Sequence, residues 1–236
     1  MKVLPHFNFQ IALLSIHNSF FAPEWFEKRY NINQERLKTF RQACEKFPKE
    51  VDHEELVTNS FVFLNKIKVM GCSINKVGST SLAHTFKVLR EAIDGQDPDE
   101  GRIRIKVNAY QLEEQRAHYR KFVFVRDPME RLASAYNDKM VVNPSGWLVR
   151  FRENVKEIAI EIKGRKNSPG NQVSFDDFLT AVVIPGEDTA TDYGRHLAPY
   201  YKICAPCTVG FDYIGLLDPT GEESGVSSML FQSFAL

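Results

Sequence analysis

From residue 56 onward the spacing of apolar positions switches between strand-like and helix-like, and each switch predicts a strand handing over to a helix. "FVFLNKIKVMGCSI" (61–74) is dense in β-branched and aromatic residues and predicts one strand ending near Ile74. Asn75 to Thr80 predict a loop. Beyond it Leu82, Phe86, Leu89 and Ile93 fall at helical spacing, with Ser81 placed as N-cap and Gly95 where a helix would stop. A second unit follows: alternating Ile103, Ile105 and Val107 predict a strand, residues 111–119 a short helical piece, and "KFVFV" (121–125) a buried strand. "RDPMERLASAY" then opens a helix. In it Asp127 caps, Pro128 takes the first position, Glu130 completes a capping box, and Met129, Leu132, Ala133 and Tyr136 form the inward face. Strands alternating with helices predict an α/β domain with a mostly parallel central sheet flanked by helices.

The flanks carry simpler patterns. Residues 31–55 are polar with Leu37, Phe40 and Phe47 interspersed, which predicts a surface helix. Phe151, Val155, Ile158, Ala159 and Ile162 predict an amphipathic helix, "GRKNSPGNQ" a loop, and "SFDDFLTAVV" a helix capped by Ser174. "TDYGRHLAPYYKICAPC" shows no period and reads as an irregular loop, and "FDYIGLL" as a further strand. The N-terminal run "MKVLPHFNFQIALLSIHNSFFAPEW" is broken by Asn8, Gln10, His17 and Asn18. It falls short of the roughly 20 apolar residues of a spanning helix. "IALLSI" still offers a weak apolar segment for membrane association.

Composition narrows the function classes. A chain of 236 residues with 43% hydrophobic and 25% charged content has material for a sizeable core and excludes wholesale disorder. Thirty basic side chains balance thirty acidic ones, so the bulk charge asks for no nucleic acid, and any anion site must be local. The cysteines are Cys44, Cys72, Cys204 and Cys207, and the lone CxxC supplies half a zinc site, so no metal is expected. Whether Cys204 pairs with Cys207 or with a distant partner is open.

The chemistry concentrates at the two strand-to-helix junctions, because helix N-termini at the carboxyl edge of a parallel sheet present free N–H groups to anions. At the first, Gly78 lets the backbone approach an oxyanion, Ser79, Thr80 and Ser81 add hydroxyls, and Lys76 adds a charge. Lys76 stands before the glycine, whereas a Walker loop places its lysine after the glycines and directly before Ser or Thr, so a kinase-like reading is not supported. At the second, Arg126 closes the strand, and Arg131 and Ser134 follow on one side of the helix. Two such junctions side by side predict a ligand with two separated anionic groups.

"NKVGSTS" resembles the 5'-phosphosulfate loop, and "FVFVRDPMERLASAYNDKM" the 3'-phosphate motif, of the Golgi carbohydrate sulfotransferases of the chondroitin 4-O, dermatan 4-O and HNK-1 type. "HLAPYYKICAPC" is similar to that family's His-x-x-Pro…Cys-x-Pro-Cys segment, and the likeness spans roughly 56–215. The resemblance implies a P-loop-like sulfotransferase fold and 3'-phosphoadenylyl sulfate (PAPS) as donor, without a metal. It also implies a glycan or proteoglycan acceptor and a place in the Golgi lumen or membrane. Asn75, Lys76, Val77, Gly78, Ser79, Thr80, Ser81, Arg126, Asp127, Arg131 and Ser134 would then form the donor-binding set, with the backbone N–H groups around Gly78 to Ser81 on the 5'-phosphate and Arg126 and Ser134 on the 3'-phosphate. Lys76 would be catalytic. Residues 56–236 read as the sulfotransferase domain, shortened at its C-terminus, and 1–55 as an N-terminal segment. The sequence departs from the family at Asn75, where proline is usual, and at Ser79, where cysteine is usual. A donor-binding but catalytically silent protein is the alternative. For the base that activates the acceptor, His196 leads, followed by His84, His118 and the Glu113/Glu114 pair.

Overall fold

The computed structural model describes residues 23–46, 60–94, 117–142, 146–164, 173–183 and 196–217. A four-stranded sheet in the order β1 (Phe61–Leu64), β2 (Val69–Cys72), β3 (Arg120–Val125), β4 (Tyr213–Leu216) forms its centre. The β2–β3 and β3–β4 pairs are parallel, and β1 pairs antiparallel with β2. The single strand expected over 61–74 is therefore a hairpin. Its turn, Asn65 to Lys68, contains no glycine, and Lys68 itself takes the left-handed conformation at φ 53°, which hid the reversal in the sequence.

β2 leads into α2 (Ser79–Asp94), and β3 into α3 (Pro128–Tyr136). Both predicted strand–loop–helix units are present. A π-helical turn (Asn137–Val142) continues α3, followed by α4 (Gly146–Lys163), α5 (Phe175–Val183), α6 (Tyr200–Cys204) and α7 (Pro206–Val209). The stretch read as an irregular loop before β4 thus contains two short helices, too short for a periodic pattern. α1 (Pro23–Lys46) precedes the sheet. The predicted strand at 103–107, the helical piece before residue 117, Gly95 and the N-terminal apolar run lie outside the described residues.

Aromatic rings on β3 fill space left by glycines on its two neighbours. Phe122 pairs in register with Gly71 of β2, and Phe124 with Gly215 of β4. A Cβ on Gly71 would come within 2.0 Å of the Phe122 ring, and one on Gly215 within 2.1 Å of Phe124. The glycines are there for the rings. Phe86 of α2 then packs on Phe122 with ring centroids 5.5 Å apart, which seats α2 on the sheet. A second core of Ala135, Met140, Phe151, Val155, Ala159, Phe178 and Ala181 joins α3, the π-turn, α4 and α5.

α1 closes one sheet edge. Asn33 donates to the Asp212 carbonyl at 3.1 Å and accepts from the Ile214 N–H at 3.0 Å, while Arg36 donates to the Ile214 carbonyl at 3.1 Å. Side chains thus take the hydrogen bonds a fifth strand would have made. Two disulfides fasten the arrangement: Cys44–Cys207 ties α1 to α7, and Cys72–Cys204 ties the end of β2 to α6. Both pairings are distant, which settles the question the CxxC left open.

Candidate active site

Because β2, β3 and β4 are parallel, their carboxyl ends share one edge, and a cavity of about 940 Å³ opens there. The first junction contributes Asn75, Lys76, Gly78, Ser79 and Thr80 to its wall. Lys76 and Gly78 both have left-handed backbones, at φ 69° and 75°. Glycine adopts this freely, whereas a lysine does so only where the surroundings impose it. α2 begins at Ser79, and Leu82 N–H donates to the Gly78 carbonyl at 3.0 Å, so the cap lies before Ser79 and not at the expected Ser81. The shift brings the first-turn N–H groups of Ser79, Thr80 and Ser81, which helix geometry leaves without an intrahelical acceptor, to the cavity end of α2. Ser81 itself is exposed, and Val77 is buried in the core.

The second junction contributes Arg126 and Ser134. Asp127 caps α3 as expected, accepting from Met129 and Glu130 N–H at 2.9 and 3.0 Å. Glu130 does not close a capping box: its carboxylate accepts from Arg126 Nε at 3.2 Å instead. The terminal nitrogens of Arg126 make no hydrogen bond among the described residues. The inward face of α3 also differs from the expected one, since Arg131 and Ala135 are buried while Met129 and Ala133 are exposed. The pattern misled because an arginine was not counted as a core residue.

Arg131 explains how the site is held. Its guanidinium donates to the carbonyls of Asn75 at 3.1 Å, Ala198 at 2.7 Å and His196 at 3.2 Å. One buried side chain therefore fastens the first loop, α3 and the segment ahead of α6 together. Expected beside Ser134 as an anion ligand, it binds carbonyls and is not part of the cavity wall.

The π-turn delivers two residues that the sequence reading did not assign. Asp138 and Lys139 line the cavity, and the Asp138 carboxylate pairs with Lys76 and, at 3.0 Å, with Lys139. Burial raises the Asp138 pKa, but the hydrogen bonds and charges of the two lysines outweigh it and hold the carboxyl below its ordinary value. Both residues stand inside the quoted "SAYNDKM" stretch. The signal is an acid and a base four and five residues past Ser134, but only the extra residue of a π-turn brings them round to the first junction.

His196 and His84 both line the cavity, His196 half-buried and His84 exposed on the α2 face it shares with Thr80 and Lys87. His118 precedes β3 at the opposite edge of the sheet, and Glu113 and Glu114 lie outside the described residues. Among the described residues the cavity wall holds Lys76, Lys87, Arg126 and Lys139 against one carboxylate, Asp138, so a chain with no net charge has a locally cationic wall here. Among the described residues no group of three or more His, Cys, Asp or Glu side chains is placed to hold a metal ion.

A profile of the sulfotransferase family matches residues 59–227, a stretch containing both junctions, the π-turn and the whole sheet. The chain belongs to the sulfotransferase family. This sulfotransferase domain is similar to carbohydrate sulfotransferase 10 of Rattus norvegicus, 30% identical over 203 residues that cover 77% of the chain and 56% of the relative. It is also similar to carbohydrate sulfotransferase 14 of Homo sapiens, 26% identical over 209 residues covering 76% and 50%. Carbohydrate sulfotransferase 12 of Xenopus laevis is 29% identical over 116 residues, 46% of the chain and 27% of the relative. The chain spans about half the length of the first two relatives. No solved structure matches it. The α/β fold and the sulfotransferase family expected from the sequence both hold.

Proposed function

We propose that this sulfotransferase domain moves a sulfuryl group from PAPS to a hydroxyl of a glycan. The observation that supports it most is the convergence of two junctions on one cavity: Lys76 with the Gly78–Thr80 turn from the first, Arg126 and Ser134 from the second. In this reading the first-turn N–H groups of α2 receive the 5'-phosphate, and Arg126 with Ser134 receives the 3'-phosphate. The acceptor oxygen attacks sulfur in line; the new O–S bond forms as the bond to the bridging oxygen breaks, and negative charge gathers on that oxygen. Lys76 supplies the compensating charge, and His196 takes the acceptor proton. The two disulfides fit an oxidising compartment and so support a Golgi lumenal location.

A second reading, a donor binder without transfer, is favoured by Asn75 and Ser79, which depart from the family's usual residues and both line the cavity. Radiolabelled sulfate transfer from PAPS to desulfated chondroitin, dermatan and glucuronyl-lactosamine acceptors separates the two. Labelled product on any acceptor supports the first. Nucleotide binding with no product on any acceptor supports the second.

A further inference from the structure

The Tyr200 hydroxyl accepts from the Arg126 N–H at 3.1 Å and donates to the Arg126 carbonyl at 2.7 Å. These backbone groups lie one residue past the end of β3, where the sheet ladder stops, and one residue before the Asp127 cap. Neither the sheet nor the helix serves them, and a part-buried peptide group left without a partner costs free energy. A single hydroxyl, able to donate once and accept, satisfies both.

Tyr200 is itself pinned from several sides. The Arg131 guanidinium carbon sits 4.9 Å from its ring centroid, while Arg131 also holds the Ala198 carbonyl two residues earlier. Cys204, four residues on, is bonded to Cys72 at the end of β2. Burial raises the phenol pKa despite the Arg126 contact and the nearby arginines, which keeps the donated proton in place. Tyr200 is not part of the cavity wall, so it acts through Arg126.

We propose that Tyr200 is a positioning residue that fixes the backbone of Arg126 and thereby aims its guanidinium at the 3'-phosphate of the donor. The proposal rests on the reading of the second junction as the 3'-phosphate site. It assigns a function to the segment ahead of β4 that its "APYYKIC" sequence does not suggest.

Tyr200→Phe removes the hydroxyl and keeps the ring against Arg131. Calorimetry with 3'-phosphoadenosine 5'-phosphate and with adenosine 5'-phosphate, which lacks the 3' group, should show the first binding about three- to tenfold more weakly and the second unchanged. In an Arg126→Ala background the same change should cost nothing further. If Arg126→Ala loses affinity for the 3'-phosphorylated nucleotide and Tyr200→Phe does not, the positioning role is wrong while the site reading stands. If Tyr200→Phe weakens both nucleotides equally, the hydroxyl acts on the fold and the proposal fails. If Arg126→Ala binds like the parent, the site reading fails and takes the proposal with it. Should Tyr200→Phe not fold, amide exchange in the parent decides: the Arg126 N–H should be protected before nucleotide is added, and exchange at the rate of an open amide would overturn the proposal.

Discussion

The Lys76 ammonium and the Asp138 carboxylate form an ion pair in the wall of the cavity although 62 residues separate them in the chain. The depressed carboxyl pKa gives this contact a testable pH signature. A group whose folded pKa lies below its unfolded value stabilises the fold above that unfolded value and loses the contribution as pH falls through the folded one. The stability difference between the parent and Asp138→Asn should therefore be at its full size at neutral pH and shrink as pH drops below the ordinary value of 3.8. Thermal unfolding of both proteins across that range checks this. A difference of constant size from about pH 7 to about pH 2 would mean that the carboxylate is not stabilised by its lysines.

Gly71→Ala tests the ring-over-glycine packing. With the new Cβ only 2.0 Å from the fully buried Phe122 ring, the ring must move against Phe86, and a loss of about 1–3 kcal/mol is expected from denaturant titration. Adding Phe122→Leu should recover part of that loss, because the smaller side chain vacates the contested space. An additive double variant would contradict the coupling.

Arg131→Met should destabilise the protein by about 3 kcal/mol or more, since three carbonyls lose a charged donor at once. Arg126→Ala should leave stability nearly unchanged, its guanidinium making a half-exposed ion pair with Glu130. Urea unfolding of the two variants side by side distinguishes a brace from a ligand. Equal stabilities would sink the assignment of Arg131 as the brace.

That contrast shows what the sequence could and could not display. The two strand–loop–helix units were legible because their signals are local: the apolar runs of β2 and β3, Pro128 after the Asp127 cap, and the helical spacing of Leu82, Phe86 and Leu89. The cavity residues Lys76, Gly78, Ser79, Thr80, Arg126 and Ser134 followed from the same local grammar. Long-range relations were not legible. Arg131 looks like any surface arginine until the Ala198 and His196 carbonyls are brought beside it, and α1 looks like a surface helix until Asn33 and Arg36 meet β4. Asp138 and Lys139 required the π-turn to rotate them toward Lys76, a local irregularity that a regular 3.6-residue period cannot forecast.

Breaking the Cys72–Cys204 bond as Cys72→Ser with Cys204→Ser should cost about 2–4 kcal/mol, consistent with the long loop it closes, and should also weaken nucleotide binding, because α6 carries Tyr200. Breaking Cys44–Cys207 should cost stability alone. Calorimetric nucleotide affinities measured at a temperature where both variants are folded separate the two effects. Equal affinities in both would show that the first bond does not support the site.

The proposed transfer mechanism depends on Lys76, and steady-state turnover of Lys76→Ala together with its donor affinity tests that role most directly. Removing one preorganised charge from the leaving oxygen should lower kcat about a hundredfold while nucleotide binding changes far less, because the interaction strengthens in the transition state. Lys76→Arg should recover part of the rate if charge is what matters. Parental turnover with parental affinity in Lys76→Ala would show that the lysine serves only its ion pair with Asp138 and would remove the centre of the mechanism.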